Sequence, residues 1–519
     1  MPEARPSGRP DQGTTKRARW KRLDPGDLLG GVSAAFVLIP QALAYATLAG
    51  MPVERGLFVA ASAPIAAALF ASSPYLGTGP TAITSLLTFG ALSALAAPGG
   101  SDYVALAALL ALLVGAIRVV LGLMHAGFLA YLMSQPIVTG FTTGAAVVIV
   151  ASQIPTVLDV PTDETNPFLA AFEALRYPGE WRLESIVISM AVAILIVGGR
   201  KLHRLFPGVL VAVFLALVYS DATSYAGAVV GEIPGRFPPF SLALPWSSTI
   251  YLVAGAFVIA IVGFSEPAAI ARHYATLERT RWDSNRELIS QGVANIAAGL
   301  SGGFPAGGSF SRSALVRDAG ARTRLAGGVT GLVVLAILPL MSLLSALPTA
   351  VLGASIIVAV RELIRVRPFV EYRKYARLQF FVATVTFLLT IAFAPHVERA
   401  VMVGVVLAIG AHLWRELKLA IPAWVSEDGT LHLAPKGVLY FASTPGLEDA
   451  FSRLLAEHRD ASHLVVHLDG LGRIDLTGAL VLKALLRDAR DAGLEVELTG
   501  VPAPAQKIIT RVIQDTDGD

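Results

Sequence analysis

The hydrophobic positions of the chain fall into long continuous runs rather than into alternating or one-sided patterns. An α-helix needs about 17–25 mainly apolar residues to cross a bilayer. About fourteen runs of roughly this kind can be placed along the first four fifths of the chain. They are predicted at 27–49, 56–71, 80–96, 104–123, 126–153, 184–199, 206–220, 247–271, 285–301, 308–318, 323–345, 347–363, 377–394 and 397–413. The pattern predicts an α-helical polytopic membrane protein.

Two of these runs are too short or too broken to span a membrane alone. The third opens at Gly77-Thr78-Gly79-Pro80, and the tenth follows the glycine-rich stretch from Gly302 to Gly308. They lie seven runs apart, which predicts two seven-helix repeats, about 25–220 and 247–418. Since seven is odd, the second repeat would be inverted, and paired interruptions in inverted halves mark a transporter's binding site. The alternative is that Gly and Pro are simply common in membrane helices.

The distribution of Lys and Arg predicts the orientation of these runs. Cytoplasmic connections of membrane proteins carry an excess of both residues. The protein is expected in the inner (plasma) membrane of the cell. Both of its termini are expected in the cytoplasm. The basic N-terminal arm has no apolar run before a small-residue cleavage site, so no cleaved signal peptide is predicted. Basic segments are 1–24, 200–204, 272–286, 317–324 and 361–377, whereas the long turn 159–184 leans acidic.

The character of the chain changes after about Trp414. A transmembrane domain over 25–420 is predicted to precede a domain at 428–519, which carries charges at a density typical of soluble proteins. A strand at 464–468, a loop at 469–475, a helix at 477–490 and a strand at 495–498 predict a small cytoplasmic α/β domain. Asp475 or Thr477 is expected to cap that helix. The alternative is a phosphorylation or docking site there.

Composition excludes several classes of function. The chain has 519 residues, of which 54% are hydrophobic and only 15% charged, so a soluble enzyme is not expected. A net charge of +3 gives no reason to expect nucleic-acid binding. The sequence contains no cysteine, no HExxH and no GxxxxGK[ST]. We therefore expect no metal site, no cofactor and no ATP-driven pumping; energy would come from ion gradients, or transport would be passive.

The starts of the third and tenth helices are the first candidate site. A helix N-terminus carries about half a positive charge and several unpaired N–H groups, so two facing ends can hold an anion. The alternative is that these small residues only allow helices to pack closely. The residues at these starts are Thr81 and Ala82 on one side and Ser309, Phe310 and Ser311 on the other.

Two ionisable residues within predicted helices add to this site. Arg312 is costly inside a membrane unless it faces a wet cavity or a partner, and a guanidinium binds oxyanions bidentately. Alternatively, it could reach the cytoplasmic surface. Glu266 precedes Pro267, which is expected to break the eighth helix. Glu266 could stay protonated, pair with Arg312 or hold Na⁺, and any of these would couple transport to a cation; alternatively, it is a structural carboxyl.

The first helix supplies two further candidates. Pro40 is expected to break it, and Gln41 and Tyr45 lie one turn apart on the same face. They are predicted to line the substrate cavity. The alternative is a buried Gln41 that bonds to backbone freed by Pro40, with Tyr45 as packing.

The sequence resembles the SulP (sulfate permease) family, also called solute carrier family 26. The resemblance extends from about Asp24 to Ile513, and no single motif carries it alone. The tail resembles the STAS domain of that family. The segments that carry the likeness are 39–46, 50–52, 56–57, 79–82, 285–289, 308–314, 319–323, 465–468 and 474–478.

This resemblance implies two inverted seven-helix repeats that form a core and a gate, elevator-like movement and a homodimer. It implies sulfate, bicarbonate, chloride or dicarboxylate as substrate, with Gln41 and Tyr45 facing the anion, Arg312 supplying charge and Glu266 coupling H⁺ or Na⁺. The charged Glu54 and the proline after Glu266 depart from the family pattern and leave the coupling ion open. Rival functions are an anion channel, a nucleobase–proton symporter and a membrane-anchored regulator.

Overall fold

The computed structural model describes residues 23–129, 134–202, 206–235, 237–416 and 419–514. All but the last two residues of the predicted basic arm, 1–24, lie outside the described residues. The chain divides into two compact units after Val405.

Within the described residues, fourteen helices follow one another in the order of the predicted runs. Six of the helical stretches are long and apolar enough by themselves to cross a membrane. The third and tenth helices are the two shortest of these, as their broken sequences predict. The helices are α1 (Pro25–Leu48), α2 (Val53–Phe70), α3 (Ala82–Leu92), α4 (Ser101–Leu123), α5 (Gln135–Leu158), α6 (Leu183–Leu202), α7 (Gly208–Thr223), α8 (Thr249–Leu277), α9 (Ser284–Leu300), α10 (Phe310–Asp318), α11 (Leu325–Ile337), α12 (Thr349–Val360), α13 (Arg377–Ala392) and α14 (Val397–Glu416).

Two predicted helix breaks are wrong. Helix α1 continues through Pro40, and α8 continues through Pro267. A proline removes one backbone hydrogen bond, and the rest of the helix holds because its surroundings are packed. Both prolines are buried, as are most of their neighbours on the same helices.

The connections contain more structure than the apolar pattern predicts. A short helix, Pro167–Arg176, lies in the segment predicted as a long turn, and another, Arg367–Tyr375, lies in the basic connection after α12. Both are amphipathic and too short to span a membrane, which is why hydropathy alone does not find them. The fifth run is also displaced, because α5 begins at Gln135 and not at 126.

The helix packing repeats when every helix number is shifted by seven. Helix α4 packs on α9, and the shifted pair α11 and α2 is also packed. Three further pairs pack together, and so do their shifted counterparts. They are α5–α13 and its counterpart α12–α6, α1–α10 and its counterpart α8–α3, and α1–α11 and its counterpart α8–α4. An odd number of helices per repeat inverts the second copy. The first unit is therefore an inverted repeat, as the fold prediction states.

Glycines allow α4 and α9 to approach closely. A Cβ added to Gly115 would lie 2.7 Å from the carbonyl oxygen of Gly292, and one added to Gly292 would lie 2.9 Å from the carbonyl oxygen of Gly115. Seven residues further along each helix, Gly122 and Gly299 meet the facing backbone in the same way. Small residues bring membrane helices together where no hydrophobic driving force exists between them.

The second unit contains a small α/β domain. Its four-stranded sheet has the order β3-β4-β6-β8, with β3 antiparallel and the others parallel, and β5 pairs with β7 in a separate sheet. The sheet begins before the predicted start at 428, and a strand replaces part of the predicted loop 469–475. The elements are β3 (Ala423–Val425), β4 (Leu431–Leu433), β5 (Gly437–Leu439), α15 (Thr444–Glu457), β6 (His463–His467), β7 (Leu471–Ile474), α16 (Leu476–Asp491), β8 (Glu495–Thr499) and α17 (Ala503–Ile509).

The core of this domain and its helix cap follow from the sequence pattern. Leu464 and Val466 of β6 and Leu482 and Leu486 of α16 belong to one buried cluster. The side chain of Asp475 accepts a hydrogen bond from the N–H of Gly478 at 2.7 Å. Asp475 is therefore the cap of α16, one of the two residues expected for that role.

The close approach of α4 and α9 makes a testable prediction. Gly115→Leu should lower the unfolding free energy by at least about 1–3 kcal/mol, because the new side chain meets the backbone of α9. Gly198→Leu on α6 is the matched control, since no atom lies within 4 Å of its added Cβ. Thermal unfolding in detergent measures both. Equal melting temperatures for the two variants would contradict the packing described here.

Candidate functional site

The interruptions before α3 and α10 touch each other inside the first unit. Each is a three-residue strand, β1 (Gly77–Gly79) and β2 (Gly307–Ser309), and the two pair antiparallel. Side chains would not fit at the glycine positions of these strands. A Cβ on Gly77 would lie 2.7 Å from the Cβ of Arg312, one on Gly308 would lie 2.7 Å from Leu76, and Gly79 has a φ of +149°. The glycines therefore allow two broken segments to meet.

Both half-helices begin directly after this pairing. Helix α3 is capped by Thr81, whose Oγ1 lies 3.4 Å from the N–H of Thr84 and 2.9 Å from the Thr84 hydroxyl. Helix α10 follows Ser309, whose side chain makes no capping hydrogen bond. The Ser309 hydroxyl lies instead 3.2 Å from that of Ser311. The first turn of α10 is thus left without a side-chain cap from its own N-cap residue.

A cavity of about 280 Å³ lies against these two helix starts. It is bounded on one side by α1, α3, α8 and α10, and on the other by α6, α7, α12 and the residues that follow α12. The first group contributes most of the polar lining, whereas the second contributes mainly aliphatic side chains together with Ser355, Glu362 and Arg365. Its lining residues are Gln41, Ala44, Tyr45, Thr81, Ala82, Ile83, Ile196, Val209, Glu266, Ser309, Phe310, Ser311, Ser355, Ile356, Val358, Ala359, Val360, Glu362, Leu363 and Arg365.

The structure brings all but one of the predicted site residues to this cavity. Helix α1 contributes Gln41 and Tyr45, and α8 contributes Glu266. The start of α3 contributes Thr81 and Ala82, and the start of α10 contributes Ser309, Phe310 and Ser311. The exception is Arg312, which does not line the cavity.

Arg312 lies behind the cavity wall. Its side chain is 1% exposed, and its Nη1 donates to Oε1 of Gln41 at 3.1 Å. Its Nη2 donates to the carbonyl oxygen of Pro80 at 3.0 Å and lies 3.4 Å from that of Gly77. The Arg312 guanidinium therefore does not face the cavity in this structure, and its contact with an anion stays a prediction. Arg312 ties α10 to α1 and to the break before α3.

Glu266 lies at the other end of the same cluster. Its carboxyl accepts a hydrogen bond from the backbone N–H of Phe310, the first residue of α10. The charges of Arg312 and Arg365 are close enough to act on it. An anionic Glu266 therefore sits at the helix N-terminus where a bound anion would also be stabilised.

Several buried polar residues had no predicted role. Asp27 accepts hydrogen bonds from the N–H groups of Arg322 and Thr323, and Glu287 accepts from the N–H of Ser73 at 2.8 Å. Both carboxyls fix turns next to the half-helices. Each belongs to or contacts a segment that carries the family resemblance, so the resemblance itself was the signal. Among the described residues, no group of His, Cys, Asp and Glu could hold a metal ion.

The sequence model of the sulfate permease family matches residues 25–386, and that of the STAS domain matches residues 422–515. The chain belongs to the sulfate permease family. This membership confirms the resemblance seen in the sequence, including its STAS domain.

The relatives of this chain are named as transporters and not as enzymes. It is 36% identical over 358 residues to a probable sulfate transporter of Mycobacterium tuberculosis, which covers 67% of this chain and 62% of the relative. It is 32% identical over 402 residues to the chloroplastic sulfate transporter 4.1 of Arabidopsis thaliana, covering 75% of this chain and 58% of that one. The matches thus span about three fifths of these relatives.

Solved structures share the fold. Murine solute carrier 26 family member A9 in the inward-facing state matches with a TM-score of 0.83 and 23% identity, over 94% of this chain and 87% of that one. The transmembrane domain of a cyanobacterial bicarbonate transporter matches with a TM-score of 0.65 and 24% identity, over 75% of this chain and 98% of that one.

The cavity wall can be tested by chemical labelling, because the sequence contains no cysteine. Ser311 lines the cavity, whereas Ser313, two residues further on the same helix, is 0% exposed and accepts from the N–H of Gly77. Ser311→Cys should therefore react with a small anionic methanethiosulfonate, and Ser313→Cys should not. Mass spectrometry of the labelled protein measures both. Equal labelling would contradict this assignment of the two faces of α10.

Proposed function

We propose that the chain is a secondary anion transporter for small oxyanions of the sulfate, bicarbonate or dicarboxylate class. The observation that supports this best is the meeting of two half-helix starts at one cavity, with the Arg312 guanidinium behind them. Helix N-termini stabilise negative charge through their N–H groups and their dipoles. A water molecule occupies about 30 Å³ in the liquid, so a cavity of about 280 Å³ has room for a small anion with part of its hydration shell.

The helices on the two sides of the cavity form two packed groups. Helices α1 to α4 and α8 to α11 pack mainly with one another, and so do α5 to α7 with α12 and α13. A second cavity of about 620 Å³ lies on the same boundary. It is lined by Thr47 near the end of α1 and Thr349 at the start of α12, whereas the first cavity is lined by Gln41 and Ser355 of the same two helices. Two cavities on one boundary support movement of a core against a gate, with the substrate carried on the core.

The first cavity indicates which side is open. It includes Ile196 and Val209, which flank the α6–α7 connection, and Arg365, which follows α12. Those connections carry the basic residues that are typical of the cytoplasmic side. We therefore infer that this is an inward-open arrangement with both termini in the cytoplasm of a plasma-membrane protein. A homodimer is proposed from the family resemblance alone.

Coupling to a cation is proposed to act through Glu266. An ionised Glu266 and a bound anion would both be stabilised by the start of α10, and they would repel each other. A proton or Na⁺ on Glu266 removes that repulsion, so anion and cation would bind together. Glu266 and the start of α10 would support either symport of the anion with a cation or exchange of one anion for another.

The function is tested by uptake of labelled anions into proteoliposomes that contain the purified protein. Sulfate, bicarbonate, chloride and succinate are compared with and without imposed proton and sodium gradients. Accumulation of an anion that follows a cation gradient supports the proposal. Currents far above transporter turnover would favour the anion channel instead, and the absence of uptake of every anion would overturn the proposal.

Glu266→Gln is predicted to weaken the coupling of anion uptake to the cation gradient while the protein still exchanges anions. The neutral side chain imitates a permanently protonated Glu266, so gradient-driven accumulation should fall at least about tenfold while anion exchange continues. The matched control is Glu362→Gln, which removes another carboxyl from the cavity lining on the opposite group of helices. Glu266 is structural if its variant accumulates the anion as the unmodified protein does.

A further inference from the structure

Arg118 is a fully buried arginine in the C-terminal part of α4, five residues before its end, and the proposed transport mechanism does not yet use it. Its side chain is 0% exposed. Its Nε donates to the carbonyl oxygen of Ala260 at 3.0 Å, its Nη2 to that of Ile259 at 3.0 Å and its Nη1 to that of Ala306 at 3.2 Å. It therefore connects α4 to α8 and to the chain that leads into β2.

The contact with Ala306 fixes the approach to α10. The N–H of Ala306 donates to Oδ1 of Asn295 at 2.9 Å, and its carbonyl oxygen accepts from both Arg118 and Nδ2 of Asn295. Ala306 directly precedes β2, and β2 directly precedes α10. The break before α10 is thus held by Arg118 as the break before α3 is held by Arg312.

The charge of Arg118 has no carboxylate beside it. All three of its hydrogen bonds go to neutral backbone carbonyls, and among the described residues no Asp or Glu contributes to its electrostatic environment. An unpaired buried charge is strongly unfavourable in a protein interior or membrane. Neutral donors could bond to the same carbonyls without that penalty. The presence of a charged residue at this position therefore indicates a functional role for the charge.

The guanidinium lies one layer behind the cavity. A Cβ on Gly263 would be 2.7 Å from Nη2 of Arg118 and 3.2 Å from the methyl group of Thr84. Gly263 precedes Glu266 by one helical turn, and Thr84 bonds to Thr81. Glu266 and Thr81 both line the cavity. Gly263 and Thr84 therefore lie between the Arg118 guanidinium and two residues of the cavity lining.

We propose that Arg118 is a positioning residue of the anion site, which fixes the break before α10 and whose buried charge takes the transported anion as its counter-charge. This inference rests on the proposed function. Because the interior screens charges weakly, the charge acts on the anion without contact. Binding of the anion then stabilises the fold by relieving an uncompensated buried charge.

The test compares Arg118→Lys, which keeps the charge, with Arg118→Gln, which keeps hydrogen-bond donors but removes it. Both are made in the full chain and reconstituted, and the KM and Vmax of labelled sulfate uptake are measured together with the rise in Tm that sulfate causes in detergent. We expect KM to rise at least about tenfold in the Gln variant and less than about threefold in the Lys variant. At one fixed sulfate concentration, the rise in Tm should be smaller in the Gln variant and preserved in the Lys variant.

A merely structural role gives a different result. Both variants would then lose Tm without sulfate while KM and the sulfate-dependent rise in Tm stay unchanged, and the inference would be overturned. If the Gln variant does not fold, Gly263→Ala is used instead, because its methyl group displaces the guanidinium while the charge stays. Its KM for sulfate should rise at least about threefold relative to Gly255→Ala on the same helix, and equal values would overturn the inference.

The unmodified protein separates the two proposals. If it neither takes up sulfate nor is stabilised by it, the proposed function fails for this anion, and the inference about Arg118 fails with it. If it does both and Arg118→Gln retains its KM, only the inference fails.

Discussion

The antiparallel pairing of β1 with β2 is the interaction on which the first unit depends. A break in a membrane helix leaves backbone N–H and C=O groups without partners, and no water is present in the hydrocarbon to replace them. Here each break supplies partners for the other through Gly77↔Ser309, Thr78↔Gly308 and Gly79↔Gly307. Two defects that would each be unfavourable alone therefore stabilise each other at the centre of the fold.

Several further polar groups of the breaks bond to side chains of the surrounding helices. The N–H of Gly77 donates to the Ser313 hydroxyl, and Gln291 donates to the Thr78 hydroxyl at 2.9 Å. The carbonyl oxygens of Pro80 and Ala306 accept from Arg312 and Arg118. Donors from arginine add positive charge where neutral donors would not. The same hydrogen bonds that make the breaks possible thus make the surroundings of the cavity favourable for an anion.

Much of this architecture could be predicted from the sequence, because bilayer thickness translates directly into the length of apolar runs. The glycines and Pro80 around the third and tenth runs predicted the two short helices. The continuity of α1 and α8 could not be predicted, since it depends on the tertiary packing around Pro40 and Pro267. Prolines in membrane helices indicate a possible break, and the surroundings decide whether one forms.

The residues predicted for the site do line one cavity, although their contacts were not all foreseen. Small and hydroxyl-bearing residues at two helix starts, and the family resemblance for Gln41 and Tyr45, led to that expectation; that the cavity binds the anion stays a prediction. The direction of the Arg312 side chain was beyond the sequence, since it depends on the carbonyl oxygens that only the folded breaks present. Arg118 was not singled out, although an arginine within an apolar run is the same signal that drew attention to Arg312.

Selenate, a heavier analogue of sulfate, offers the most direct measurement of where an anion binds. Crystals of the protein grown with selenate and measured at the selenium absorption edge would give an anomalous difference peak for each bound anion. We predict one peak in the cavity, about 3 Å from the backbone N–H groups that begin α3 and α10. A transport-competent protein with its peak elsewhere, for example at Arg365 alone, would contradict the account.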